Sequence, residues 1–140
     1  MSVRVVLLSA ATCLALATNA LASAQGPSGR YAIDVDATYL AMVEAKVDKP
    51  DSRTILEQQR EVMFLDFTGD TLTFVTGPGL GASPRGSCHW TLTGDRFSFD
   101  RCRAANGGSF RIDGVVLFEA DTGAVVIQGN APVPIRYRAE

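Results

Sequence analysis

One short segment, which begins at Cys88 and ends at Cys102, concentrates the side chains most often used in catalysis and metal binding. CHWTLTGDRFSFDRC holds the only histidine and the only tryptophan of the chain and two of its three cysteines. By residue type, Ser98, His89 and Asp100 are a nucleophile, a base and a group that orients the base. The two cysteines and the histidine are, by type, zinc ligands. Whether these groups meet depends on how the two halves of the segment pair.

The dipeptide Gly94-Asp95 between two alternating runs is typical of a two-residue type II′ hairpin loop. This loop pairs His89 with Asp100 and leaves Ser98 diagonal to His89, with Cβ atoms ~7–8 Å apart. A serine nucleophile needs its base within about 3 Å. A zinc site is also disfavoured, because one histidine and two oxidised cysteines offer too few ligands. We therefore predict a protein that is not an enzyme and has no metal or cofactor.

The start of the chain predicts the compartment. Arg4 precedes a run of mostly small and apolar residues, 5–21, and the small residues of the sequence ASA follow before Gln25. This order is what signal peptidase recognises. We predict a signal peptide over residues 1–24, with cleavage after Ala22 as the alternative. The remaining residues, 25–140, form a single exported domain, periplasmic or extracellular, without a transmembrane anchor.

After cleavage, Cys88 and Cys102 are the only cysteines, and an oxidising compartment favours a disulfide between them. The chain-entropy model gives such a bond about 3 kcal/mol. In the hairpin register, however, the two cysteines are one residue out of opposition and point to opposite faces. One extra residue in a strand re-aims the following side chains. We therefore predict a β-bulge between Phe99 and Cys102.

Charge excludes several classes of partner. The chain carries 13 basic and 15 acidic residues, a net charge of −2, and no basic cluster. Nucleic acids and anionic membrane surfaces are therefore poor partners. We expect a monomer that binds an apolar small molecule or an envelope protein.

The N-terminal part of the domain predicts one strand and two helices. RYAIDVDA alternates, with Tyr31 and Ile33 on one face. TYLAMVEAKVD follows as a helix that Asp36 or Thr38 caps. Its apolar stripe consists of Leu40, Val43 and Val47, with Tyr39 and Met42 beside it. RTILEQQREV is the second helix, capped by Asp51 or Ser52, and its narrow stripe consists of Ile55, Leu56, Gln59 and Val62.

From Met63 onward the apolar period changes to two. FTGDTLTF (67–74) and LTGDRFSF (92–99) repeat one hairpin pattern, and a looser third copy, VVLFEADTGAVVIQG, follows. Both faces of this third copy are apolar, so we expect it to be covered on both sides, with the helices as the candidate cover. Pro132 and Pro134 place the last strand at an edge or at a late closure. The pattern predicts a mainly β (α+β) domain, an antiparallel meander or small barrel of seven to eight strands.

This layout resembles the calycin-like barrels, which include lipocalins, fatty-acid-binding proteins and small secreted bacterial lipocalin-like proteins. GRYAID (29–34) is similar to their Gly-x-Trp opening, with Tyr31 in place of tryptophan. IRYR (135–138) is similar to their basic final strand, but the Arg-x-Tyr pair that holds a fatty-acid carboxylate is absent. With Ile135 and Tyr137 inward, the arginines of this strand point outward. The resemblance implies a small barrel that binds an apolar molecule or a lipid.

The candidate ligand-lining residues are the large apolar side chains on the inward face of the predicted strands. They are Tyr31, Leu65, Phe74, Trp90, Phe97 and Phe99. Two alternatives stay open. The same residues would fill a solid core in a purely structural module, or the loops 77–86 and 129–134 would contact a protein, as in a periplasmic enzyme inhibitor.

Overall fold

The computed structural model describes residues 26–78 and 83–140, so the signal peptide predicted over residues 1–24 lies outside the described residues. The elements in chain order are β1 (Gly29–Ile33), α1 (Val35–Glu44), α2 (Ser52–Val62), β2 (Met63–Thr68), β3 (Thr71–Thr76), β4 (Ser83–Thr93), β5 (Arg96–Ala104), β6 (Val115–Glu119), β7 (Ala124–Gln128) and β8 (Ile135–Ala139). The eight strands form a closed antiparallel barrel in sequence order, with both helices after the first strand. The predicted fold class is confirmed.

The last strand closes the barrel by pairing with the first. Ile33 lies opposite Tyr137, and Tyr31 lies opposite Ala139. Pro134 precedes this strand, so its lack of a backbone N–H removes no hydrogen bond from the ladder. Within the described residues, no helix is long and apolar enough to cross a membrane.

The two ends of the barrel differ in how the chain turns. At one end, here called the hairpin end, short turns join β2 to β3, β4 to β5 and β6 to β7. At the other, here called the loop end, lie the two helices and the longer connections that precede β4, β6 and β8. The long loops thus gather at one end, where a binding site is easiest to build.

The repeated Thr-Gly-Asp phrase forms the predicted hairpins. Gly69 and Gly94 have positive φ angles of 57° and 63°, while Asp70 and Asp95 do not, which is the combination that type II′ requires. The first copy sets Phe67 against Leu72. Both predicted hairpin registers are confirmed.

The predicted bulge is present in β5. Beyond the pair His89↔Asp100 the register shifts, so that Cys88 faces both Arg101 and Cys102. Arg101 adopts a φ of 50°, the left-handed conformation that opens this type of bulge. Cys88 and Cys102 are disulfide-bonded, with 1% and 7% of their surfaces exposed. One extra residue therefore lets both cysteines point inward.

The first helix starts earlier than the sequence pattern predicts. The side chain of Asp34 accepts a hydrogen bond from the N–H of Ala37 (3.1 Å) and caps α1, so the prediction of Asp36 or Thr38 as the cap is wrong. Thr38 is instead buried, and its Oγ1 accepts the N–H of Arg136 (3.1 Å). Asp34 is the cap because the strand ends at Ile33, so that Asp34 has an extended conformation at the start of the helix.

The predicted apolar stripe of α1 is also wrong. Leu40 and Val43 are 56% and 42% exposed, and Val47 lies beyond the end of the helix. The core is instead faced by Val35 and Thr38, together with Tyr39 and Met42, which were predicted beside the stripe. The bond from β8 to Thr38 turns this side of α1 towards the barrel.

The second helix buries Leu56 but leaves Ile55 and Val62 43% and 38% exposed. No side-chain bond caps its N-terminus at Asp51, and Ser52 Oγ instead accepts the N–H of Lys49 (2.8 Å). The helices pack mainly against β1, β2 and β8, because α2 runs directly into β2. They are therefore not placed to cover the apolar strands β6 and β7.

Candidate functional site

The inward-facing positions of β4 show how the barrel interior changes along its axis. From the hairpin end to the loop end they are Leu92, Trp90, Cys88 and Gly86. Large side chains fill the first part, the disulfide occupies the middle, and a glycine leaves space at the loop end. The sizes of these four residues therefore divide the barrel interior into a filled half at the hairpin end and an open half at the loop end.

The half at the hairpin end is a solid aromatic core. The ring of Trp90 lies 5.9 Å from that of Phe67 and 5.4 Å from that of Phe97, both edge to face. Phe99 stacks on Phe97 at 5.6 Å. Gly26 passes so close that a Cβ there would lie 2.7 Å from the Trp90 ring. Edge-to-face and stacked rings of this kind are typical of a closely packed core.

The half at the loop end is built around Phe110, which belongs to the connection between β5 and β6. Its ring packs edge to face against Phe74 at 6.1 Å. It also lies over Gly86, where an added Cβ would sit 2.9 Å from the ring. A side chain at this position would collide with the ring, so Gly86 allows Phe110 to pack into the loop end of the barrel.

Beside the Phe110 ring a pocket of about 450 Å³ opens to solvent; it is called the loop pocket below. Its lining residues are Phe74, Arg85, Gly86, Ala104, Phe110, Arg111, Ile112 and Ile127. Apolar groups dominate, and the charged side chains are the two exposed arginines. An apolar concavity with few polar groups is the usual form of a small-molecule site.

A second opening lies in the barrel wall between β5 and β6. These strands pair only at Arg96↔Leu117, and the next bridge, Arg103↔Ser109, is several residues away. Between the two bridges a cleft of about 650 Å³ forms; it is called the wall cleft below. Its lining residues are Phe97, Phe99, Asp100, Arg101, Cys102, Arg103, Ser109, Phe110, Arg111, Ile112, Asp113 and Gly114. Unlike the loop pocket, the wall cleft is mainly polar.

The two openings share one wall, the segment 110–112. The side chains of Phe110, Arg111 and Ile112 border both of them. The charged side chains of the wall cleft are three arginines and two aspartates. Arg101 lies 3.5 Å from the carboxylate of Asp100. Within the described residues, neither Arg103 nor Arg111 has a carboxylate partner within 4.0 Å.

A third, smaller concavity lies between the helices and the connection before β8. It has a volume of about 340 Å³ and is called the helix groove below. Met42, Ile55, Leu56 and Val133 line it, and its surface is mainly apolar.

The residues that suggested catalysis lie on the outer face of the filled half. His89 Nδ1 lies 2.6 Å from an oxygen of Asp100, and its Nε2 lies 3.2 Å from an oxygen of Asp70. The hydrogen bond with His89, and the nearby Arg101 to a smaller extent, hold the pKa of Asp100 below its ordinary value. Both ring nitrogens thus face carboxylates. Ser98 lies opposite Thr91 and not beside the imidazole.

All six candidate ligand-lining residues point into the barrel, as the alternation predicts. Tyr31, Leu65 and Phe97 are buried, while Phe74, Trp90 and Phe99 are partly buried against the same cluster. Of the six, Phe74 borders the loop pocket, and Phe97 and Phe99 border the wall cleft. Contact of any of them with a ligand stays a prediction.

Four residues of the loop pocket are not among those predicted from the sequence: Phe110, Arg111, Ile112 and Ile127. A weak signal was present, because SFRID (109–113) alternates apolar and polar residues as a strand would. Its flanking glycines and polar residues made it look like a connecting loop. Only its position against Gly86 shows that it lines a pocket.

Burial changes the acidity of two tyrosines. Tyr137 is 5% exposed, and its burial raises the pKa of its hydroxyl. Burial likewise raises the pKa of Tyr31, against a smaller opposing effect of the Ser28 backbone. Both hydroxyls therefore stay neutral inside the barrel at ordinary pH.

Comparison of the chain with protein-family models, with curated proteins and with solved structures finds no match. The closed eight-stranded barrel is a property of the structure itself. Membership of the calycin-like barrels remains a resemblance.

Proposed function

We propose that this barrel is an exported binding protein that takes up an apolar small molecule or lipid in the loop pocket. The observation that carries the proposal is the open half of the barrel, an apolar concavity of about 450 Å³ beside a filled core. This volume lies within the range of known ligand sites, roughly 300–1,000 Å³. Binding rather than catalysis is the proposed activity.

The pocket is preformed, which supports a binding role. Gly86 admits the Phe110 ring, and Phe74 holds that ring from the side. The adjacent Cys88–Cys102 disulfide and its bulge brace the two strands that carry Gly86 and Ala104. A rigid site loses little conformational entropy when a ligand enters, so more of the apolar contact appears as affinity.

Export fits the same proposal. A disulfide between two buried cysteines is compatible with an oxidising compartment, where such bonds form and persist. We infer that the mature protein works in the periplasm or outside the cell. There a closed barrel with one apolar pocket would carry or sequester a poorly soluble compound.

The alternative function from the sequence is a protein-binding envelope module. The loops proposed for that contact, 77–86 and 129–134, both lie at the loop end, although residues 79–82 lie outside the described residues. The same end holds the loop pocket. A protein partner there would compete with a small molecule, so one experiment separates the two functions.

The test uses decanol that carries a photoreactive diazirine, an uncharged probe of simple apolar shape. After irradiation of the mature protein, peptide mapping identifies the labelled residues. We expect label on the loop-pocket residues Phe74, Phe110 and Ile112, and competition by unlabelled decanol. Label confined to the helix groove around Ile55, or no saturable label at all, would overturn the proposal.

A variant pair gives an independent measurement. Ile112→Glu places a charge in the loop pocket, and Leu40→Glu places the same charge on the exposed face of α1. Fluorescence of N-phenylnaphthylamine reports binding, and near-ultraviolet circular dichroism reports folding. We expect loss of probe binding in the first variant only. Equal binding by both folded variants would contradict the proposed site.

A further inference from the structure

We propose that the ligand of the loop pocket is an anionic amphiphile, whose acidic headgroup binds Arg111 at the junction of the loop pocket and the wall cleft. This inference rests on the proposed function and adds the chemical class of the ligand. It follows from the position, the pairing and the charge of the arginines around the two openings.

The first argument is the position of the arginines around the two openings. Arg111 borders both openings, between Phe110 and Ile112 in the shared wall. Arg85 borders the loop pocket and Arg103 borders the wall cleft. A chain lying against Phe110 and Ile112 would therefore bring its polar end to a guanidinium on whichever side it leaves the pocket.

Pairing comes second. Three arginines outside the two openings already have carboxylate partners: Arg30 binds Asp66 at 2.8 Å, Arg53 binds Asp36 at 2.6 Å, and Arg136 binds Glu119. Arg85 has only the hydroxyl of Thr76 as a partner, and Arg111 has no carboxylate within 4.0 Å in the part of the chain that the structure describes. Their charges are thus available to a ligand.

Charge comes third. The whole chain has a net charge of −2. Around the two openings the balance reverses, because four arginines (85, 101, 103 and 111) face two aspartates (100 and 113). Asp100 is already engaged by His89 and Arg101. The local excess of positive charge favours an anionic group at this end of an acidic protein.

Guanidinium chemistry defines the headgroup. Arginine presents planar, paired N–H donors that match the two oxygens of a carboxylate or of a phosphate ester. The loop pocket admits the apolar part and offers no buried polar group to a headgroup. The acidic group therefore stays at the mouth, next to water, and not inside the barrel.

The test compares decanoate with decanol, which share a chain and differ in charge, by isothermal titration calorimetry at low ionic strength. We expect decanoate to bind about tenfold more tightly than decanol, an advantage that falls as salt screens the exposed charges. Decyl phosphate is the second acidic ligand and identifies which headgroup fits better. Preference for either acidic ligand over decanol supports the inference.

Arginine variants locate the effect. Arg111→Gln and the double variant R85Q/R103Q remove charge at the mouth, while Arg138→Gln removes an equivalent exposed charge from the final strand. We expect the ratio of decanoate to decanol affinity to fall to about one in Arg111→Gln, to shrink in the double variant and to persist in Arg138→Gln, where decanol binding also stays unchanged.

Equal affinity for decanoate and decanol, or the same loss in Arg138→Gln as in Arg111→Gln, would overturn the anionic headgroup and leave apolar binding intact. Binding of none of the three ligands would overturn the proposed function as well.

Discussion

The two halves of this barrel are built from the same strands but differ in how closely their interiors are packed. At the hairpin end, the rings of Trp90, Phe97 and Phe67 pack against one another with centroids 5.4–5.9 Å apart. At the loop end, Gly86 and a ring from a long connection leave a pocket of about 450 Å³. The same barrel is thus closely packed at one end and leaves an apolar concavity at the other.

The disulfide lies between the two halves. Cys88 separates Trp90 from Gly86 along the interior of β4. It joins β4 to β5 one residue before the bridge Arg103↔Ser109, at the loop-end limit of the wall cleft.

The strongest test of this division removes one ring from each half. Phe67→Ala deletes a side chain that is 2% exposed and contacts the rings of Tyr31 and Trp90, so we expect a loss of about 3–5 kcal/mol in the free energy of unfolding. Phe110→Ala, in the open half, is expected to lose clearly less, because its ring borders a solvent-filled pocket. Urea denaturation followed by tryptophan fluorescence measures both. Equal losses in the free energy of unfolding would contradict the division into a packed half and an open half.

The next largest effect concerns the disulfide. Replacing both cysteines in the variant C88S/C102S is expected to cost about 3 kcal/mol, since the open chain regains the entropy of a closed loop. Amide hydrogen exchange should rise first around Arg101 and Cys102, where the bulge interrupts the ladder. Native protein treated with a reductant in denaturant and then refolded serves as the matched control. Unchanged stability and exchange would show that strand pairing alone holds the junction.

The smallest expected effect lies on the outer face of the filled half. His89→Gln removes the hydrogen-bonding imidazole, so the pKa of Asp100 should rise towards its ordinary value. A carboxyl whose pKa is lowered by folding stabilises the fold above its unfolded pKa, and this contribution is lost as pH falls through the lowered value. Carbon NMR titration of the aspartate carboxyls measures the shift, and Thr91→Ala is the neighbouring control. An unchanged Asp100 titration in His89→Gln would contradict the assignment.

Much of the fold follows from local patterns. The Thr-Gly-Asp phrases predict both hairpin registers, because glycine at positive φ and period-two alternation are properties of a few adjacent residues. The bulge near Cys102 is predictable from parity alone, since two cysteines out of register by one residue cannot meet without it. The α1 stripe fails because a cap at Asp34 and a bond to Thr38 rotate the helix, and that bond comes from a strand far along the chain.

The strand order, the hairpins, the paired cysteines and the inward aromatic residues are encoded within short stretches of this sequence. The loop pocket and the wall cleft are not, because they depend on contacts between distant parts of the chain. Phe110 reaches Gly86 only once the barrel has closed, and the wall cleft forms where β5 and β6 stay unpaired between the bridges Arg96↔Leu117 and Arg103↔Ser109. Local periodicity therefore shows which side chains face inward, whereas closure of the barrel determines where they leave space.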